Sequence, residues 1–350
     1  MKPSSFRRDT MSEARDNIEH GLTITKRELA KRDEILAYLP EIIIDAHAHA
    51  GLEEQVGQID PRTMQHMMTT FPFFSLEDSA RMNSLFFTGK LVHTLRFAIP
   101  WRGIDHRSAN QYLLKNSPPS DRVALCGIPD DPDYTINQLC RKKYCALKMY
   151  VRYFEPPATR IYEFFLPEIL EEAQVLDIPI ILHLPAMITK CIDDLDRCLS
   201  DFPKLRVVLA HLGLPHLPIP GLAEAYDQFA SYPQVSMDTA MIPSKEVVAL
   251  ALKAFGHDRI MYGSDQPLNI LRQVVYHHPE KGERIVTHRR YHWSDSLEHE
   301  QYGHLAVGAV HSHWQCLESL LEGIKQIFPS SEAEARRNIF CANARKMFDF

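Results

Sequence analysis

The sequence predicts an α/β fold, a (β/α)₈ TIM barrel, and three observations support this prediction. Eight short apolar segments recur between residues 41 and 265, and stretches of helical character separate them. The segments are continuously apolar, as expected of parallel strands that helices cover on both faces. The length of 350 residues suits one large barrel with additions. An open doubly wound sheet is the alternative, but no glycine-rich phosphate loop follows the first segment.

The predicted elements follow in chain order. Residues 12–39 are rich in Glu, Arg, Lys and Leu and predict one or two leading helices, so residues 1–40 form an N-terminal extension before a barrel domain over 41–350. The predicted strands are 41–47, 90–100, 122–129, 144–150, 178–184, 205–212, 234–240 and 258–265. The predicted helices include 164–177 and 193–202, and the C-terminal helices 311–328 and 331–348.

Two connections are too long to be simple loops. Residues 50–89 follow the first strand and residues 266–310 follow the eighth. Both leave the carboxyl ends of strands, the face where barrel enzymes carry their active sites. We therefore expect lid insertions or subunit contacts there, and we call them the first and second lid segments. Aromatic residues in the lids and Leu-rich C-terminal helices favour a homodimer.

Composition excludes several classes of function. A net charge of −6 and a pI near 6.3 argue against binding to nucleic acid or to anionic membranes. The charged N-terminus has no apolar signal region, and no apolar run approaches the ~18 residues of a transmembrane helix. The seven cysteines are scattered and form no CxxC pair. These features predict a cytoplasmic protein with reduced thiols and a small-molecule substrate.

Metal-ligating residue types stand at the ends of four predicted strands. His47 and His49 end the first strand, His183 the fifth, His211 the sixth and Asp265 the eighth. Side chains two apart on a strand point the same way, and a barrel brings these strand ends around one mouth. Imidazoles with a carboxylate suit Zn²⁺ or a similar divalent ion. The pattern therefore predicts a metal site with one position open for water or substrate.

Five motifs together resemble the amidohydrolase superfamily, in particular its amidohydrolase-2 branch, which also contains non-oxidative decarboxylases. The motifs are "IDAHAHA", "IPIILHLP", "VVLAHLG", "RIMYGSDQP" and "NIFCANARKMF", in that order over residues 41–348. The resemblance implies that His47, His49, His183 and Asp265 bind the metal. It implies that His211 is a catalytic acid/base or a polarising group.

The resemblance also bears on the number of metals. Binuclear relatives bridge two metals with a carboxylated lysine on the fourth strand, and Lys148 stands near that place. Branch members often have a lysine there without a second metal. We therefore expect one Zn²⁺, or another divalent ion such as Mn²⁺, per chain.

Two reactions are compatible with these ligands. In a hydrolase of a C–N or C–O bond, of amide or lactone type, the metal activates water and Asp265 takes and returns the proton. His211 would stabilise the oxyanion. In a decarboxylase, the alternative, the metal anchors a substrate carboxylate or phenolate and a neighbouring His or Asp protonates the carbon that loses CO₂. Some aromatic-acid decarboxylases begin with ExH, so the HxH of this chain favours hydrolysis.

Other residues receive secondary interpretations. Arg96, Arg152 and Lys148 lie where they could bind an anionic substrate, although each could instead form an ordinary ion pair. The His-rich segment from 277 to 313 is interpreted as a polar lid rather than a second metal site, because His311 and His313 lie two apart on a predicted helix. A barrel kept for binding or assembly without turnover is the third interpretation.

Overall fold

The barrel wall of the computed structural model follows the predicted order of strands. The structure describes residues 3–350 apart from 60–62, 65–66, 69–70, 292–293 and 295. The strands of the wall are β1 Ile42–His49, β2 Leu91–Phe97, β3 Arg122–Val123, β4 Leu125–Cys126, β5 Leu147–Met149, β6 Ile180–Leu182, β7 Val207–Leu209, β8 Val235–Asp238 and β9 Ile260–Met261. Because β3 and β4 are two parts of the predicted third strand, these segments correspond to the eight predicted strands.

Backbone hydrogen bonds join the strands into a ring. One parallel sheet contains β1, β2 and β3, and a second contains β4 to β9 in chain order. Ala124, between β3 and β4, donates to the carbonyl of Arg96 at 2.9 Å, and His49 donates to the carbonyl of Gln266, beyond β9, at 2.6 Å. The carboxyl ends of the first and last strands therefore lie side by side, and the predicted fold class is confirmed.

Helices cover the outside of the ring, and alternate strand residues fill its interior. The covering helices are His106–Asn116, Pro132–Cys140, Pro167–Val175, Ile192–Asp201, Leu222–Ala230 and Lys245–Phe255. Ile44 and Ala46 of β1 share an interior cluster with Ile181 of β6, whereas Ile43 packs in the outer cluster. This alternation follows from the opposite directions of successive side chains on a strand. Phe348 also packs in the interior cluster.

The chain ends in helices Ser312–Ile327, Glu332–Arg337 and Asn343–Phe348, the last two joined by the π-helical turn Asn338–Ala342. His311 lies in the short strand β12, Val310–His311, and not in the predicted helix. The reason is long-range pairing, since His311 pairs antiparallel with Arg272.

Both lid segments contain regular structure. The first includes the 3₁₀ turn Glu53–Gln55 and the helix Leu76–Phe86, which we call the lid helix. The second contains β10, Arg272–His278, and β11, Gly282–Thr287, which form an antiparallel hairpin that we call the lid hairpin. The helix Ser296–Tyr302 follows it. This hairpin was not predicted from the sequence.

The N-terminal extension forms two helices, α1 Pro3–Gly21 and α2 Lys26–Leu36. The first begins earlier than the predicted residue 12. Its buried residues Met11, Ala14 and Ile18 repeat at helical spacing and form one apolar stripe. Among the described residues, no helix combines the length and the apolar character needed to cross a membrane.

Candidate metal centre

The four predicted metal ligands and the predicted catalytic residue His211 all line one cavity. His47 and His49 lie at the end of β1, and His183 follows β6 directly. His211 lies in a turn after β7, and Asp265 lies in the loop after β9. The cavity has a volume of about 810 Å³ and opens at the carboxyl ends of the strands, beneath the lid segments.

The atoms that could bind a metal converge on Asp265. Its Oδ1 lies 3.4 Å from Nε2 of His47 and 3.4 Å from Nε2 of His49. His47, His211 and Asp265 each offer a ligand atom, and these atoms lie within 4.8 Å of one another. His49 and His183, both expected to be ligands, are not part of this three-residue group, and the ring centroid of His183 lies 5.3 Å from that of His211. His211, expected to act in catalysis, is part of it.

The four histidines share one tautomer. In each ring Nδ1 faces an oxygen that accepts hydrogen bonds, so Nδ1 carries the proton and Nε2 keeps its lone pair. The acceptors are Asp238 Oδ2 for His47 (2.8 Å), Ala98 O for His49 (3.2 Å), Leu184 O for His183 (2.9 Å) and Ala240 O for His211 (3.0 Å). Metal-binding histidines in proteins are oriented by such partners of the second nitrogen.

Burial keeps most of these rings neutral. Desolvation lowers the pKa of His49, lowers that of His183 well below its ordinary value and lowers that of His211 to about 4. Metal binding requires the neutral imidazole. Burial raises the pKa of Asp265, but the contact with His49 and the positive charge that the neighbouring histidines would carry if they were protonated lower it overall. A cation at this position would supply the same positive charge.

These residues fit a divalent cation. Nε2 of His47 is buried and has no hydrogen-bond partner within the described part of the chain. With the lone pairs of His47 and His49 facing the Asp265 carboxylate, three acceptors approach one another and repel unless a cation or a proton lies between them. Imidazole nitrogens with one carboxylate are a donor set that suits Zn²⁺.

Asp238 orients the centre and was not singled out from the sequence. It is fully buried at the end of β8, where Oδ2 accepts from Nδ1 of His47. Oδ1 accepts from the backbone N–H of His211 at 3.0 Å and of Ala240 at 3.1 Å. Burial raises the pKa of Asp238, but the charge and hydrogen bond of His47 lower it overall. A carboxylate ending a buried apolar strand was the signal that could have identified it.

Asp45 holds the loop that carries Asp265. Its carboxylate accepts from the backbone N–H of Ser264 at 2.8 Å, from the Ser264 hydroxyl at 2.5 Å and from the backbone N–H of His47 at 3.1 Å. Burial raises the pKa of Asp45 to about 6. Asp265 itself has a φ of 57°, in the left-handed region that a non-glycine residue occupies only at an energetic cost. The contacts of Asp45 help to maintain this conformation.

A left-handed turn positions His211. His211, Leu212, Gly213 and Leu214 have successive φ angles of 56°, 48°, 79° and 76°. Such a conformation costs roughly 1–2 kcal/mol for each L-residue, and strain of this kind concentrates at functional sites. His216, just beyond the turn, also lines the cavity, and its Nδ1 lies 2.9 Å from Met241 O. Sequence reasoning missed His216 because it lies in a proline-rich loop rather than at a strand end.

Cationic and aromatic side chains line one further part of the cavity. Lys148 is buried, which lowers its pKa to about 8 against the raising effects of Asp238 and Asp265. Arg152 also lines the cavity, next to Tyr150. The ring centroid of Tyr150 lies 5.9 Å from that of Trp101 and 4.9 Å from that of His183, both in edge-on geometry.

Arg96, predicted as a substrate contact, forms a buried ion pair instead of lining the described part of the cavity. Arg96 is buried, and its Nε lies 2.6 Å from Asp121 Oδ2. Its Nη1 donates to the Ser79 hydroxyl at 2.6 Å. Among the described residues, the cavity lining includes Arg152 and Lys148 but not Arg96. Arg96 pairs with the Asp121 carboxylate because Asp121, which lies farther along the chain, contacts β2.

Comparison with known proteins shows the family of this chain. The sequence matches the amidohydrolase family over residues 44–350. The chain belongs to the amidohydrolase family. No curated protein matches the sequence. The resemblance of the five motifs is therefore confirmed at the level of the family.

Solved structures of low sequence identity share the fold of this amidohydrolase. A 5-carboxyvanillate decarboxylase from Sphingomonas paucimobilis has 11% identity and a TM-score of 0.57, covering 89% of this chain and 100% of its own. A zinc-bound amidohydrolase from Burkholderia multivorans has 14% identity and a TM-score of 0.56, covering 88% and 99%. A protein described as a 2-pyrone-4,6-dicarboxylic acid hydrolase from Pseudomonas putida has 16% identity and a TM-score of 0.53, covering 89% and 98%.

Proposed function

We propose that this amidohydrolase is a metal-dependent hydrolase that cleaves an amide or lactone bond in a small anionic molecule. The observation that carries the proposal is the convergence of the His47 and His49 Nε2 atoms on the Asp265 carboxylate. The position of Nδ1 partners leaves both Nε2 atoms free to bind a metal. The family resemblance adds His183 to the ligands.

One divalent ion per chain, Zn²⁺ or Mn²⁺, is the proposed cofactor. When bound, such an ion lowers the pKa of water to ~7 and polarises a carbonyl group. Asp265 holds the water, takes its proton and transfers it to the leaving group. His211, whose backbone N–H is fixed by Asp238, faces the same space with the lone pair of Nε2, so it can take a proton as a general base. The protonated ring would then stabilise the negative charge that develops on the carbonyl oxygen.

Two cationic residues favour an anionic substrate. Arg152 and Lys148 line the cavity on the side of β5, and Lys148 is buried. A carboxylate bound by the guanidinium of Arg152 would place the rest of a small molecule toward Asp265. The lid hairpin contributes Gln273 and Tyr276 to the cavity lining, so the substrate would lie between barrel and lid.

Non-oxidative decarboxylation is the second candidate, and the aromatic walls favour it. Trp101 and Tyr150 meet edge-on at the cavity, and the Tyr150 ring adjoins His183. Such walls suit a planar unsaturated or aromatic acid. In this reaction the proton held near Asp265 or His211 would be delivered to carbon instead of to a leaving group.

The first experiment measures metal content by mass spectrometry, on protein purified without chelator or metal-affinity resin. We expect about one zinc or manganese per chain, and loss of this metal in the double variant His47→Ala/His49→Ala. Two metals per chain would assign Lys148 as a carboxylated bridge. Absence of metal, with no uptake on reconstitution, would contradict the proposal.

The second experiment distinguishes the two reactions. The metal-loaded protein is incubated with panels of lactones, amides and aromatic carboxylic acids, with detection of acid release and of CO₂. Release of acid without CO₂ supports hydrolysis, and release of CO₂ supports the second candidate. Asp265→Asn should abolish either activity, so full activity in this variant would contradict both mechanisms.

A further inference from the structure

We propose that the N-terminal extension is a brace that holds both lids over the metal centre, with Glu28 and Arg15 as its positioning residues. The extension lies outside the residues that match the amidohydrolase family, 44–350. Its polar side chains nevertheless contact the lid hairpin and the lid helix. The effect on turnover rests on the proposed function, whereas the effect on lid order does not.

Glu28 of α2 connects the extension to the strands of the second lid. The side chain is fully buried. Its Oε2 accepts from the backbone N–H and the hydroxyl of Thr25, at 2.9 and 2.8 Å. Its Oε1 accepts from the backbone N–H of His311 at 2.9 Å, and lies 2.7 Å from Nδ1 of His311 and 3.5 Å from Nε of Arg272. One carboxylate therefore joins α2 to β12 and β10.

Arg272, the first residue of β10, carries the contact to the cavity. Its Nη2 donates to the carbonyl of Thr23 at 2.7 Å, and its Nη1 lies 3.1 Å from Nε2 of His20. The next residue, Gln273, lines the cavity, as does Tyr276 of the same strand. Because successive residues of a strand point to opposite faces, anchoring Arg272 to the extension sets the position of Gln273 in the cavity wall.

Arg15 of α1 makes the corresponding contact to the first lid. Its Nη1 lies 2.9 Å from both carboxylate oxygens of Asp78. Asp78 is buried and also accepts from the backbone N–H and hydroxyl of Ser75, the residue that caps the N-terminus of the lid helix. The Arg15 guanidinium lies 5.0 Å from the ring centroid of Phe73. Phe73 is two residues from Phe71, which lines the cavity.

The two contacts differ in a way that makes the proposal testable. Removing the charge of Glu28 leaves a buried Arg272 without its carboxylate, which affects the lid hairpin. Removing the guanidinium of Arg15 affects the lid helix instead. If the extension served only as part of the general core, through its apolar stripe, either change would weaken the whole fold evenly.

Hydrogen exchange followed by mass spectrometry on the full, metal-loaded chain tests the brace. Glu28→Gln removes the charge that faces Arg272 and leaves one oxygen for the donors of Thr25, His311 and Arg272, so amides of the lid hairpin should exchange about tenfold faster, with the lid helix unchanged. Arg15→Gln should speed exchange in the lid helix by a similar factor, with the hairpin unchanged. The matched control is Glu34→Gln, the same change at an exposed residue of α2, which should alter neither.

Several outcomes would overturn the proposal. Equal acceleration in the barrel strands and both lids would show that the extension only stabilises the fold, and unchanged exchange in both lids would show that it braces neither. If Glu28→Gln does not fold, Arg15→Gln, whose side chain is 39% exposed, still gives a decisive result. If exchange becomes faster only in the lids and the protein shows no turnover, the proposed function is refuted and the brace is supported. With turnover, Glu28→Gln should raise KM at unchanged metal content.

Discussion

Replacing Asp238 by Asn tests whether His47 must keep its lone pair on Nε2. Oδ1 of Asp238 accepts two backbone N–H groups, from His211 and Ala240, and Oδ2 accepts from Nδ1 of His47. An Asn has one oxygen, and the two fixed backbone donors require it. Its –NH₂ group then faces Nδ1 of His47, which can stay bonded only as an acceptor. The proton moves to Nε2, the atom that faces Asp265, and this form of the ring cannot bind a metal.

The expected effect is large for metal binding and small for folding. Loss of the partner that orients a metal-bound histidine typically costs ~10–100-fold in metal affinity or activity. Because the Asn also selects the wrong tautomer of His47, we expect the upper end, about a 100-fold loss of affinity or ~2.7 kcal/mol. The side chains have nearly the same volume and both backbone hydrogen bonds persist, so the unfolding midpoint should change little.

Competition with a chelator of known affinity measures the metal affinity of both proteins. The matched control is Asp45→Asn, at a residue that is also buried near His47. Its Oδ2 accepts from the Ser264 hydroxyl, which can reverse and accept from the new –NH₂ group, so no ring changes tautomer. We expect a loss below ~10-fold in this control. Native metal affinity in Asp238→Asn, or equal losses in the two variants, would refute the tautomer argument.

Substitutions at Arg152, Arg96 and His106 separate roles in binding from roles in stability. Arg152→Met should raise KM for the anionic substrate about tenfold or more, with a smaller change in kcat. The control Lys190→Met, at an exposed position of the cavity rim, should leave KM unchanged. Equal KM values for the two variants would exclude Arg152 as a substrate contact. Arg96→Met leaves Asp121 buried without its partner, so urea unfolding should show a free energy of unfolding that is lower by roughly 3–5 kcal/mol. A raised KM together with unchanged stability would instead support Arg96 as a substrate contact. Burial lowers the pKa of His106 to about 4. As the pH is lowered, the unfolded chain takes up this proton before the folded chain does, so the free energy of unfolding should decrease between pH 6.5 and about 4. His106→Gln should make this decrease smaller.

The barrel and the strand-end residues are predictable because their signals are local. Strand β6 consists of Ile180, Ile181 and Leu182, all fully buried, so its apolar run reports burial directly. The position of His183, directly after this strand, at the mouth of the barrel is predictable from the topology, because parallel strands bring their carboxyl ends to one mouth. The same reasoning located His47 and Asp265 without any knowledge of their contacts.

Other features depend on residues far apart in the chain. Arg96 was predicted to bind substrate because its partner Asp121 reaches it only after the strands pair. His311 was placed in a helix because its pairing with Arg272 has no local signal. Long-range hydrogen bonds of this kind depend on which surfaces meet, and periodicity within a segment does not report that.

The order of apolar strands establishes the barrel already at the level of the chain, and the His and Asp residues behind the strands predict its metal site. The protonation of its histidines is a different matter. Asp238 sets the tautomer of His47 from 191 residues away, and Glu28 joins the extension to His311 across 283. These contacts arise from packing, because a hydrogen bond depends on atomic position and burial rather than on the spacing of residues along the sequence.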